Sequence, residues 1–356
     1  MAAADREQGH RGGLLTRQVV LVLGSPGSGA GMAAGMLGVL GYRIPTPVIT
    51  NEGSTTDGES EWLVDFHSSL LSKSGVLSAD ARPEAWGATT AACFDQSSIA
   101  AAGKWLIDQF GTSDFVVLRD SRLAWFTSLW DQAARESEAL PSYILVVRLP
   151  EGVGRGRGLW SANQSTPTDR VVSWINTTLY SERATRGKAR AIVSTQQLAS
   201  DWTAAIAAVD DAIGLPPVSD APASEMVSAG KLVDPVLAAP HPGWQELEVA
   251  PAVSDLADRT WRALQGSMVG GNGDGRAELD ALRAEYRALY RTAEEIARSS
   301  IVAAGKPPPA DDVFGEKSPD ATEESSRALK AAGFIPARLR HAVPVRLRKA
   351  IVRLLP

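Results

Sequence analysis

The chain is poor in cysteine, in histidine and in long apolar runs, and each shortage removes a class of function. Cys93 is the sole cysteine among 356 residues. A disulfide framework within the chain is impossible and a cysteine-built zinc site is excluded, which fits a reducing cytosol. The four histidines are scattered without metal-ligand spacing, so no metal is expected. No run approaches the roughly 18 apolar residues that read as a membrane-spanning helix. Arg6, Arg11 and Arg17 mark the N-terminus, but no apolar segment accompanies them, so it does not read as a secretory signal. The net charge of −5 argues against a general nucleic-acid binder. What remains is a hydrophobic content of 44% in a length sufficient for one large domain with extensions.

The most informative stretch runs from Gln18 to Gly38. Val19 to Leu23 is an unbroken apolar run, as a strand buried on both faces of a parallel sheet requires. Gly24 to Gly31 then holds four glycines, two serines and one proline, and a helical pattern starts near Met32. Strand, glycine-rich turn and helix together make an anion cradle, because the helix start carries unpaired N–H groups and partial positive charge. A phosphorylated ligand is therefore expected above Ser25 to Gly31. The turn ends in Gly29-Ala30-Gly31, without the Lys-Ser/Thr pair that a P-loop nucleotidase places on phosphate and magnesium. Gly29, Gly31 and Ala34 satisfy a dinucleotide fingerprint, yet Glu52, near the distance for its acidic residue, follows no clear strand. A tight turn that binds nothing is the plain alternative.

Further strands are expected at Phe115–Leu118, Tyr143–Val147 and Ala191–Thr195. Helical patterns lie between them, over about Ser97–Phe110, around Trp125 to Trp130, over Asp169–Arg183 and from Asp201-Trp202 onward. The alternation predicts a three-layer α/β fold with a central parallel sheet. Ligands of such sheets bind off the carboxyl ends of the strands, where Arg119, Arg122 and Arg148 fall. The expected organisation is a tail over 1–17, an α/β domain over 18–215 and a linker or wrapping segment over 216–250. A C-terminal helical extension over 251–305, an acidic disordered linker over 306–333 and a basic amphipathic helix over 334–356 complete it. Leu279, Leu282, Tyr286, Leu289, Ala293 and Ile296 form a short heptad stripe, which suits a helix packed on the core or a homodimer. The helix over 334–356 suits an anionic membrane surface, at the inner face of the membrane, or docking on the acidic body.

Taken in order, several short motifs resemble the bacterial sulfotransferases of the actinobacterial type. They are Gly24-Ser25-x-x-Ser28-Gly29, Trp62-x-Val64-Asp65-Phe66-His67, Arg119-Asp120-x-Arg122, Val146-Val147-Arg148-x-Pro150, Thr185-Arg186-Gly187 and Asp201-Trp202. The resemblance covers about Gln18 to Leu215. It implies a P-loop-like fold and the donor 3′-phosphoadenosine-5′-phosphosulfate (PAPS). It further implies transfer of the sulfuryl group to a hydroxyl of a small molecule, glycan or glycolipid, a reaction governed by positioning and electrostatics. The family pattern implies that Ser25, Gly27, Ser28, Gly29, Ala30 and Gly31 hold the phosphosulfate and that Arg148 holds the 3′-phosphate. Glu59 matches the family's base, with Asp65 and His67 as further candidates; His67 also suits a structural histidine. Asp120 is expected to orient an arginine and Arg122 to lie near the ligand, or the cluster is a salt-bridged knot. Arg186 and Arg190 match a stretch that covers the donor, whereas Arg155 and Arg157 suit a solvated loop.

The departures from the family pattern are specific. Gly27 stands where an arginine is expected, Ala30 replaces a threonine, Gly31 replaces a serine, and Gly156 replaces the serine of the 3′-phosphate site. Loss of one such donor costs on the order of 100-fold in rate. A catalytically degenerate homologue that binds a phosphorylated nucleotide or serves as a scaffold is the alternative, and a nicotinamide-dependent oxidoreductase is a third.

Overall fold

The computed structural model describes residues 17–49, 59–111, 113–156, 166–234, 237, 243–271 and 275–305. Two compact units, Met1–Ile296 and Ala297–Pro356, divide the chain, and the sheet lies in the first. The expected disordered linker and basic helix over 306–356 lie outside the described residues.

The apolar run becomes β1 (Arg17–Leu23), and the sheet is completed by β2 (Phe115–Arg119), β3 (Ala139–Val147) and β4 (Arg190–Ser194). Their order is β2-β1-β3-β4 and every pairing is parallel. The α/β class with a parallel central sheet is therefore observed. Strand β3 starts four residues before the expected Tyr143 and runs through Pro141. Proline lacks the N–H that a central strand donates. It is tolerated here because β4 pairs with β3 only from Tyr143 onward, so Pro141 faces a neighbour on one side.

Between β1 and β2 run α1 (Ala30–Val39), α2 (Glu61–Ser74), α3 (Ala85–Ala88), α4 (Thr90–Cys93) and α5 (Gln96–Phe110). Between β2 and β3 lies α6 (Thr127–Glu136), and between β3 and β4 lie α7 (Pro150–Arg155) and α8 (Pro167–Ala184). After β4 come α9 (Thr195–Ser200), α10 (Trp202–Ile213), α11 (Pro216–Ser219), α12 (Ala223–Gly230), α13 (Pro251–Gln265) and α14 (Arg276–Gly305). The helix starts are chemically marked. Asp95 accepts from the Ser98 amide at 2.9 Å and Asp201 from the Ala204 amide at 3.0 Å, each cap being worth about 1 kcal/mol.

Alternation along the strands divides the core. Val20, Val22, Val117, Ile144, Val146 and Val193 meet α1, α10 and α12 on one face. Val19, Leu21, Leu118, Leu145 and Ile192 meet α5, α6, α8 and α13 on the other. The first half of the heptad stripe belongs to this second layer: Leu279, Leu282 and Tyr286 are buried in it. The buried Glu182 of α8 fastens this layer, accepting from Arg186 at 2.7 Å and from Arg190 at 3.2 Å. Arg186 also reaches Asp280 of α14 at 2.9 Å. No helix among the described residues is long and apolar enough to cross a membrane.

The strand order fixes where a ligand crevice opens. The connection from β1 moves the chain one way along the sheet and that from β3 moves it the other way. The carboxyl ends of β1 and β3 therefore flank the point where the winding reverses, which is where open α/β sheets bind ligands.

Candidate anion-binding site

The glycine-rich turn closes that point. The Ser28 amide donates to the Ser25 carbonyl at 3.0 Å across Pro26-Gly27, and Gly27 has φ +75. Proline followed by a positive-φ glycine is the signature of a type II turn. Gly29, at φ +84, then caps α1 in the left-handed region. Gly24 is fixed by space instead: a Cβ there would lie 2.2 Å from Ser28 Oγ and 2.8 Å from the Val146 carbonyl oxygen. The first turn of α1 has neither a side-chain cap nor an acidic residue, so its dipole is uncompensated there. The hydroxyls of Ser25 and Ser28 are buried and have no hydrogen-bond partner among the described residues. A buried hydroxyl left so costs about 1–3 kcal/mol, which a ligand oxygen would relieve. Thr195, the first residue beyond β4, braces the turn by donating its hydroxyl to the Ser28 carbonyl.

Two arginines stand on either side of the turn. Arg148 follows β3, and its Nη1 donates to the Gly27 carbonyl at 3.2 Å. Burial pushes its pKa below the usual arginine value, and the nearby Asp234 opposes that shift. Arg119 ends β2, in register with Val22 of β1. Its Nη1 donates to Glu59 Oε1, which also accepts from the Ser121 amide at 3.1 Å. Strand alternation puts Arg119 on the face of Val117 and Arg148 on that of Val146, the face covered by α1 in both cases. Glu59 is anchored in turn, because its carbonyl accepts from the Ile49 amide at 2.8 Å.

The other expected site residues are placed differently. His67 is fully buried. Its Nε2 lies 2.9 Å from Trp130 Nε1 and its Nδ1 lies 2.8 Å from Asp120 Oδ2. An indole N–H can only donate, so Nε2 accepts and Nδ1 carries the proton that it shares with Asp120. His67 has no free nitrogen and is not a base for an acceptor. Asp65, two positions earlier on α2, is exposed while His67 is buried, so the two do not share a site. Asp120 holds Arg122, accepting from its amide at 2.9 Å and from its Nη1 at 2.7 Å. Burial works against ionisation of Asp120, but His67 and Arg122 together hold its carboxyl below the usual range. Arg186 does not cover the donor side: it precedes β4, whereas the turn follows β1, and in parallel strands these are opposite edges. Its guanidinium is committed to Glu182 and Asp280. Arg155 pairs with Glu246 at 3.1 Å, and Arg157 lies outside the described residues.

The turn is also covered. Gly29, Ala30 and Gly31 are buried, and Leu237 Cδ1 lies 3.5 Å from where a Cβ on Gly29 would sit. The Asp234 amide donates to Met32 Sδ at 3.5 Å, and Leu232 reaches Gly35. This portion of the expected linker thus wraps over α1. Thr195, Trp130 and Asp234 were absent from the expected site. For Thr195 a signal existed, since it follows a strand at the carboxyl edge. Trp130 and Asp234 are brought in by packing alone. Comparison with protein-family models, with curated proteins and with solved structures finds no match for this chain.

Proposed function

We propose that the protein uses a P-loop-like turn to bind PAPS and passes its sulfuryl group to a hydroxyl of a small molecule, glycan or glycolipid. The observation that carries this reading is the meeting of Arg148 with the Gly27 carbonyl beside two buried, unmatched serine hydroxyls. Helix-start amides, hydroxyls and a guanidinium are the donors that a phosphosulfate requires. In this reading the amides of Gly29, Ala30 and Gly31, with Ser25 and Ser28, hold the charged group; Arg148, expected at the 3′-phosphate, is taken instead to serve the turn on which it is seated, and Arg122 adds positive charge. Glu59 is the remaining candidate base; Oε1 is engaged by Arg119 and Ser121, so the acceptor proton falls to Oε2. The activity is assigned to the reducing cytosol, consistent with the single buried cysteine, Cys93. Segment 334–356 would bring it to an anionic membrane.

Incubation of the full chain with labelled PAPS and a cell-envelope extract is expected to label a product, and Glu59→Gln to abolish the labelling. Labelling unchanged by Glu59→Gln would remove Glu59 as base, and none with the wild-type chain would remove the transfer. A second reading, nucleotide binding without turnover, is favoured by a specific observation. His67 has both nitrogens engaged and Asp65 is exposed away from it, so neither offers a base and a binding module fits the same geometry. It predicts binding of 3′-phosphoadenosine-5′-phosphate (PAP) without any labelled product.

A further inference from the structure

We infer that Arg119 is a second guanidinium of the anion site, gripping the 5′ end of the bound nucleotide from the β2 side while Glu59 holds it in place. The inference rests on the nucleotide-binding reading above and adds a residue that it does not use.

The turn contains no cation of its own, since Gly27 and Ala30 occupy its inner positions. A doubly charged 5′ group there would face Arg148 on the β3 side, with Arg122 beyond the end of β2 and already engaged by Asp120. Arg119 occupies the matching place on the other side. It pairs in register with Val22, two residues before Gly24, and alternation lifts its side chain toward the layer of α1. Its side chain is more than nine-tenths buried, with 8% exposure. One end of the guanidinium is satisfied, Nη1 donating to Glu59. The buried Nε has no hydrogen-bond partner among the described residues. A guanidinium offers Nε together with its neighbouring Nη as a fork that fits two oxygens of one phosphate or sulfate. Leaving a charged donor unmatched inside a protein is costly, and structural arginines are normally saturated. Arg155 and Arg283 also leave a buried Nε unmatched among the described residues, so what sets Arg119 apart is its place at the carboxyl end of β2, in register with the strand that leads into the turn. Besides its role as candidate base through Oε2, Glu59 positions Arg119 through Oε1: it fixes the arginine's rotamer and leaves the Nε edge for the ligand.

The test is calorimetric titration of the full chain with PAP and, separately, with adenosine 3′-phosphate, which lacks the 5′ group. Arg119→Met is expected to weaken PAP binding by about 10- to 100-fold, the value of a charge-assisted hydrogen bond. Adenosine 3′-phosphate should bind the wild type and this variant alike, and Arg119→Lys should recover part of the loss. If Arg119→Met does not fold, Arg119→Gln, which keeps a donor for Glu59, is expected to show the same selective loss. Equal PAP affinity in the wild type and the neutral variant overturns the inference and leaves nucleotide binding standing. An equal loss for both nucleotides overturns the assignment to the 5′ end. Absence of PAP binding by the wild type overturns the inference together with the reading on which it rests.

Discussion

At Gly29 two constraints coincide: a backbone in the left-handed region at φ +84, and Thr195 Cγ2 within 3.1 Å of any added Cβ. Gly29→Ala is expected to destabilise the protein by about 1–2 kcal/mol, because an L residue meets its own carbonyl there. A lowered urea midpoint checks it. At Asp120 the sign of the pH dependence follows from its depressed carboxyl pKa. The stabilisation is present above the unfolded value, about 3.9, and is lost as pH falls through the folded value. Asp120→Asn is expected to cost about 3 kcal/mol at neutral pH, since His67 and Arg122 then compete for one acceptor oxygen. The variant should also lose part of the acid limb of the unfolding midpoint measured from pH 6 downward. A midpoint with the same acid limb in both proteins would contradict this account of Asp120. The same residues show what a sequence conceals. Glu59 and Arg119 are separated by 60 positions, and they meet because Arg43 bridges to β2 while Val48 and Ile49 bridge to Ser60 and Glu59, a fact that no local pattern contains.

At the scale of elements, β1 and β2 were legible because a strand buried on both faces must be apolar throughout, as Val19–Leu23 and Val116–Leu118 are. The early start of β3 was hidden by Pro141, whose acceptability depends on where β4 begins to pair. The helix starts at Asp95 and Asp201 carry their capping chemistry openly. The heptad stripe of α14 was ambiguous between self-packing and a partner, and Leu279 to Tyr286 are spent on the chain's own core. Tyr286 also donates its hydroxyl to the Ala81 carbonyl, joining α14 to the loop before α3. The attachment of α14 to α8 depends on Glu182, which satisfies Arg186 and Arg190 at once. Glu182→Leu leaves those guanidinium groups short of an acceptor and is expected to cost about 3–5 kcal/mol. The readout is the denaturant midpoint together with protease susceptibility of α14; a change within about 0.5 kcal/mol would contradict a fastening role.

For the whole molecule, the parallel order β2-β1-β3-β4 gathers the turn, Arg119 and Arg148 at one edge and sends Arg186 to the other. Leu232, Asp234 and Leu237 lie over α1 and the turn. The most direct measurement is calorimetric titration of the full chain with PAP, for the wild type and for Arg148→Gln. The wild type is expected to bind PAP and the variant to bind it at least about 10-fold more weakly, with both proteins folded. No binding by the wild type, or equal binding by the two, would contradict an anion held between the head of α1 and Arg148.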